Sequence, residues 1–254
     1  MALSRKALAL RIILAILGVL VLTGVFIGSQ MPKAGPPRLV ASPDVVGVDT
    51  GGSYAWIIRT QPGAILVDTG MDPKGVAILD ELKAQHLTAD DVHTVLITHG
   101  HFDHIAASAV FSKAAIYVGA ADVPLMHGEG SPKGPLPRLL NRFMKVQQLP
   151  PNLHELKGDE KTLDVGGVSI GVTHVPGHTP GSTMYLYKDI LFTGDSLMTT
   201  KSGLQPITFL VSDDVDENLR SLALLLPLTF TTVADGHSGL ASDAHAKLEA
   251  LLKR

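Results

Sequence analysis

The run Thr98-His99-Gly100-His101-Phe102-Asp103-His104 gathers three imidazoles and a carboxylate within a few positions. Imidazole nitrogen and carboxylate oxygen are donors that Zn(II) and related divalent ions accept readily. Just before them, Thr94 to Thr98 is apolar and β-branched and reads as a buried strand, while Ile105 to Phe111 reads as a short helix. The cluster therefore falls where a strand hands over to a helix, a place where layered α/β sheets hold ligands. On an extended segment His99 and His101 point to the same side, and Gly100 between them lets the backbone turn tightly. Asp103 and His104 are adjacent, so they diverge and suit a second centre better than the first.

The same arrangement recurs further along. Strands expected at Ser169–Val175, Ile190–Phe192 and Thr229–Val233 each run into a glycine-containing loop. These loops are Pro176-Gly177-His178-Thr179-Pro180-Gly181-Ser182, Thr193-Gly194-Asp195-Ser196 and Ala234-Asp235-Gly236-His237-Ser238-Gly239. A lone histidine or aspartate in a loop is ordinarily just solvated. Taken with the opening cluster, His178, Asp195 and His237 complete seven potential ligands, all at strand ends.

The elements that must position them follow from patterning. Short strands are expected at Val45–Val48, Tyr54–Arg59 and Ala64–Asp68, with turns at Gly51-Gly52 and Gln61-Pro62-Gly63. Val76, Leu79 and Leu82 recur at helical spacing within Lys74–His86, and Ala115–Val118 reads as another strand. Gly128 to Pro137 interrupts the alternation, and Arg138–Gln148 reads as a short helix, so 128–148 is either a lid over a site or a plain surface excursion. Val165-Gly166-Gly167-Val168 is a hairpin turn, and Met184–Tyr187 and Ile190–Phe192 are strands turning at Lys188-Asp189. Asp213, with Asp216 three residues on, is expected to open a helix that Pro227 closes, and Ala241–Lys253 is the closing helix. Trp56, Tyr185 and Tyr187 sit in strand patterns and read as core or sheet face.

The N-terminus differs in kind. Ala7 to Ile27 is apolar apart from Arg11 and Thr23, long enough to cross a bilayer of about 30 Å as a helix. Arg5, Lys6 and Arg11 favour a cytoplasmic N-terminus. The leading expectation is a membrane anchor in contact with the lipid bilayer, holding the rest outside the cytoplasm. A cleaved export signal, giving a secreted or periplasmic protein, is the alternative. Residues 1–29 are thus anchor or signal, 30–43 a proline-containing linker and 44–254 the catalytic domain.

Composition removes several other chemistries. The chain of 254 residues carries a net charge of −3 and no long basic run, which argues against a nucleic-acid partner. It has no cysteine, so disulfides, thiolate zinc sites and a cysteine nucleophile are excluded.

The ordered set THGHFDH, PGHTPGS, FTGDSL and DGHSG, preceded by Leu66-Val67-Asp68-Thr69-Gly70, resembles the metallo-β-lactamase superfamily of metallohydrolases, from about Val45 onward. The resemblance implies an α/β (α+β) four-layer αβ/βα sandwich, two mixed β-sheets face to face with helices outside. It implies two Zn(II) ions, with iron or manganese as alternatives. His99, His101 and His178 would hold one ion; Asp103, His104 and His237 the other; Asp195 would bridge. Asp68 would hydrogen-bond near the ligand loops rather than bind metal, and His174 and Ser182 are candidates for the same supporting role. A hydroxide shared by the two ions would be the nucleophile, with Asp103 also serving as general base.

Departures from the family's patterns narrow the branch. The β-lactamase branches lack the bridging aspartate, which this chain has in Asp195. Typical hydroxyacylglutathione hydrolases carry a helical extension after the last ligand histidine, whereas only 17 residues follow His237. The acyl-homoserine lactonase branch has similar ligand spacing but a tyrosine where this chain has Met198. The resulting expectation is a hydrolase of a small ester, thioester or lactone, its small-molecule substrate bound near Lys201, Met198 and His127. His127 and His154 flank the 128–148 segment and are both expected chiefly as surface histidines, with substrate contact the alternative. The alternatives are a mononuclear iron oxygenase resembling persulfide dioxygenases and a non-catalytic metal-binding protein on the same fold.

Overall fold

The computed structural model describes residues 35–61, 63–129, 132–140 and 152–253, and, nearer the N-terminus, helical residues 14, 16–19, 21–25 and 28. The chain divides into two units, Met1–Pro32 and Lys33–Arg254. In the first unit the described residues are helical and exposed, and the rest of the expected anchor lies outside the described residues. Among the described residues, no helix is long and apolar enough to cross a membrane.

The larger unit begins with strands β1 (Arg38–Ser42), β2 (Val45–Asp49), β3 (Tyr54–Arg59) and β4 (Ala64–Val67), paired antiparallel in succession. Helix α1 (Val76–Ala84) crosses to β5 (Val92–Leu96), and the short α2 (Phe102–Ile105) leads towards β6 (Ala115–Gly119). After α3 (Val123–Met126) and α4 (Pro135–Leu140) comes β7 (Leu153–Leu156), and β4 to β7 are mutually parallel. The second sheet contains β8 (Thr162–Val165), β9 (Val168–His174), β10 (Thr183–Tyr187) and β11 (Ile190–Gly194), each antiparallel to the next. A hairpin of β12 (Met198–Thr200) and β13 (Gly203–Gln205) follows, then α5 (Val215–Ser221). Parallel to β11 lies β14 (Thr232–Asp235), edged by β15 (Leu240–Ala241), and α6 (Ala244–Leu252) closes the chain. The orders are β1-β2-β3-β4-β5-β6-β7 and β15-β14-β11-β10-β9-β8.

Strand periodicity explains the layering. In β3, Tyr54, Trp56 and Ile58 join a core shared with Ile170, Val172, Tyr185 and Phe192 of the second sheet. Ala55 and Ile57 alternate with them and face Ile78 and Leu82 of α1. A strand buried on both faces reads as a continuous apolar run, as YAWIIR does. On the far side of the second sheet, Met184, Leu191 and Val233 pack against Leu222, Leu225 and Leu248. Helices therefore cover the outer face of each sheet, as the resemblance implied.

Several boundaries differ from the sequence expectations. Arg38–Ser42, expected in the linker, pairs with β2, and Arg38 bonds Glu81 of α1 at 2.8 Å. Pro36 and Pro37 immediately precede it, a position that an edge strand tolerates. The helix expected at Ile105–Phe111 is two short turns, α2 and a 3-10 turn at Ser108–Phe111. Asp214, not Asp213, caps α5 by accepting from Glu217 N at 2.8 Å. Asp213 instead accepts from Lys133 N (2.7 Å) and Gly134 N (3.2 Å). In the 128–148 stretch the helix starts at Pro135, and residues 141–150 lie outside the described residues.

Candidate metal centre

Asp68 follows β4, the first histidine cluster follows β5, His178 follows β9, Asp195 follows β11 and His237 follows β14. All five positions lie beyond carboxyl ends of strands, and the parallel β4/β5 and β11/β14 pairs carry four of them to one rim. Bonds between the sheets hold that rim together. Thr183 N donates to Thr98 O (2.8 Å), Tyr185 Oη to Ile97 O (2.9 Å) and Trp56 Nε1 to Asp235 O (3.1 Å).

The structure brings all seven expected ligands together. The ligand atoms of His99, His101 and His178 lie within 4.8 Å of one another, as do those of Asp103, His104 and His237, and those of His99, His104 and Asp195. Ring planes in the first trio are nearly perpendicular, with His99–His178 centroids 4.4 Å apart and His101–His178 4.8 Å apart. His178 Nε2 faces His101 Nδ1 at 3.1 Å, close to the edge of about 3.3 Å expected between two nitrogens on one tetrahedral zinc. Asp195 reaches both trios: Oδ2 is 3.1 Å from His237 Nε2 and 3.7 Å from His178 Nε2, and Oδ1 is 3.3 Å from His104 Nε2.

These residues fit a metal. His99 Nε2, His104 Nε2 and Asp195 Oδ1 are buried without a hydrogen-bond partner, and each such group costs about 1–3 kcal/mol unless something satisfies it. A cation among them satisfies all three. The approach is kept open by Gly236, where an added Cβ would lie 2.5 Å from Asp195 Oδ1 and 2.7 Å from His104 Cε1. An all-nitrogen-and-oxygen donor set suits zinc, iron or manganese.

Electrostatics separates the halves. Burial, reinforced by neighbouring rings, holds His99 and His178 well below the ordinary imidazole range, and burial also lowers His101. Burial opposes charge on His104 and His237 too, but Asp195 and nearby carboxylates outweigh it, raising His104 strongly and His237 to about 9. Burial would raise the Asp195 carboxyl, yet His237 and His104 hold it well below the usual range.

The supporting residues divide. Asp68 accepts from Thr98 N (2.7 Å) and Thr98 Oγ1 (2.8 Å) and meets His104 Nδ1 at 2.8 Å. Its backbone is left-handed, with φ 61°, a conformation that aspartate tolerates better than most residues. Ser182 bonds Thr179, beside His178, through N (3.0 Å) and Oγ1 (2.7 Å). His174 does not share that role: among the described residues it makes no hydrogen bond to the ligand loops, and its ring lies against Gly158 between β7 and β8. Lys201 is exposed in the β12–β13 turn, Met198 is buried in β12, and His127 is exposed at the end of α3. His154 stacks on Tyr117, with centroids 4.9 Å apart.

Two buried aspartates were missed by sequence reasoning. Asp122 and Asp235 are each fully buried, and both accept several hydrogen bonds from the ligand loops. For Asp235 a signal existed, since an aspartate two residues before a loop histidine can build a turn from its own side chain. Asp122 is remote in sequence from every ligand, and no local pattern marks it.

Comparison with known proteins agrees with the geometry. The family model described as the metallo-beta-lactamase superfamily matches residues 48–250. An uncharacterised protein of Mycobacterium tuberculosis is 32% identical over 198 residues, covering 72% of this chain and 84% of its own length. A probable polyketide biosynthesis zinc-dependent hydrolase of Bacillus velezensis is 28% identical over 206 residues, covering 79% of each chain. A crystal structure of a B3 metallo-beta-lactamase superposes with a TM-score of 0.58 at 28% identity, covering 76% of this chain and 90% of that one. On the strand-end histidines and aspartates, the paired sheets and these matches, the chain belongs to the metallo-beta-lactamase superfamily.

Proposed function

We propose that this protein is a dinuclear metal-dependent hydrolase acting on a small ester, thioester or lactone. The observation that carries the reading is Asp195, whose carboxylate stands 3.1 Å from a ring nitrogen of one trio and 3.7 Å from a ring nitrogen of the other. A site built for one ion has no use for a second complete trio, which argues against the mononuclear iron oxygenase reading.

In this reading His99, His101 and His178 would hold one zinc, Asp103, His104 and His237 would hold the other, and Asp195 would serve both. When bound, such a pair would lower the pKa of a water molecule and polarise the substrate's carbonyl, leaving its carbon more electrophilic. The chain supplies the remaining steps. Asp103 is the open carboxylate, its side chain 32% exposed against 7% for Asp195, so it can take the proton released as the nucleophile attacks. His237 is oriented by Nδ1 against Gly52 O at 2.5 Å, and Asp103 by Ser53 Oγ, which donates to its carbonyl at 2.5 Å. Exposed Lys201 is a candidate to anchor an anionic group of the substrate, with Met198 and His127 as weaker candidates for contact. Unchanged KM in Lys201→Ala retires that role.

The N-terminal segment keeps its sequence-based reading as part of this proposal: a bilayer anchor, or a cleaved signal, with the hydrolase domain outside the cytoplasm. The test of function is elemental analysis together with acid release from a panel of esters, thioesters and lactones. Two zinc ions per chain and hydrolysis abolished by a chelator are expected. Fewer than one zinc, iron or manganese per chain overturns the reading.

A further inference from the structure

Asp122 and Asp235 lie beside the centre, are not among its candidate ligands, and serve different halves of it. Asp122 follows β6 and is fully buried. Its Oδ2 accepts from Gly100 N (2.8 Å) and Thr179 Oγ1 (2.6 Å), and its Oδ1 from Gly181 N (2.7 Å). Gly100 separates His99 from His101, and Thr179 follows His178. One carboxylate therefore pins together the two loops that carry the first trio. The fit has no slack, since a Cβ on Gly181 would lie 2.6 Å from Asp122 Cγ. The approach is close at Gly100 as well, where an added Cβ would sit 3.0 Å from Asp122 O.

Asp235 plays the corresponding part on the other side. Its Oδ1 accepts from the N–H groups of His237 (2.8 Å), Ser238 (2.5 Å) and Gly239 (3.0 Å), which shapes the loop around His237. Its Oδ2 accepts from Thr199 N at 2.6 Å, tying that loop to the strand that follows Asp195. None of these contacts involves His99, His101 or His178.

We propose that Asp122 and Asp235 are positioning residues, each setting the geometry of one half of the centre, so that single substitutions separate the two metal affinities. The inference rests on the two-metal reading above. The chemistry of the contacts makes a carboxylate necessary. Asp122 meets donors on both oxygens and so does Asp235, and an amide would turn its own N–H₂ towards one of those donors. The resulting shift passes directly to the attached ligand loop, and loss of such outer partners weakens metal affinity by about 10–100-fold.

The experiment compares wild type, Asp122→Asn and Asp235→Asn by metal titration against a chromophoric chelator, and by cadmium-113 NMR of the cadmium-loaded chain. Each variant is expected to keep one tight ion and to bind the other about 10–100-fold more weakly. Asp122→Asn should lose the resonance of the nitrogen-rich site, and Asp235→Asn that of the site with more oxygen donors. Should Asp122→Asn fail to fold, Thr179→Val removes one of its three donors, and Asp235→Ser does the same service for the second half by keeping a short acceptor. Simultaneous weakening of both ions in the folded variants, or retention of both at wild-type affinity, overturns the proposal. A wild-type chain that binds fewer than two ions instead sinks the two-metal reading, before any variant is compared.

Discussion

Asp68 Oδ2 stands 2.8 Å from Nδ1 of His104, and both side chains are buried. Asp68 is thereby placed to accept from Nδ1 of His104, which leaves Nε2, 3.3 Å from Asp195 Oδ1, as the candidate ligand atom. Asp68 also accepts from Thr98 N and Oγ1, so an amide cannot replace all three contacts. Asp68→Asn is expected to weaken the ion held by His104 about 10–100-fold. Chelator competition checks it, and wild-type affinity would show that His104 needs no such partner.

Gly236 lies directly against two of the candidate ligands, Asp195 and His104. Ala at 236 would bring a methyl group to 2.5 Å from Asp195 Oδ1 and displace that carboxylate. A displacement of this kind costs on the order of 100-fold in kcat/KM. Gly236→Ala should therefore lose activity and part of its metal while its circular dichroism spectrum stays that of wild type.

Stability should follow metal loading. With free ion at about 100 times its Kd, binding only the folded state adds about 2.7 kcal/mol, a rise of about 5–10 °C in Tm for a domain of this size. A thermal melt before and after dialysis against a chelator measures it. Equal melting temperatures would mean that the buried ring nitrogens need no cation.

Away from the centre, Asp44 couples stability to pH. Burial works against its charge, but hydrogen bonds from Lys188 (2.5 Å), Ser42 (2.6 Å) and Tyr187 (2.7 Å) outweigh it and hold the carboxyl below the usual range. A depressed folded-state pKa gives stability that is present above the unfolded value of about 4 and lost as pH falls through the folded one. Asp44→Asn should cost about 1 kcal/mol at pH 7 after solvent screening, with the gap closing in strong acid. Denaturant melts at the two pH values test the sign.

The candidate centre of this protein was legible in its sequence because metal-ligating residue types and strand-to-loop transitions are local patterns. Histidines two residues apart, apolar runs of strand length and glycine-marked turns identify each ligand loop without reference to any other. YAWIIR reads as a strand for the same reason. Only the tertiary structure decided what lies between the loops. Asp122 meets Gly181 across 59 positions of chain, and Asp68 meets His104 across 36. His174, four residues from His178, turns instead towards Gly158. Such choices depend on which sheet edge a chain segment joins and how closely two backbones approach. Those quantities arise from packing the two sheets together, and no short stretch of sequence contains them.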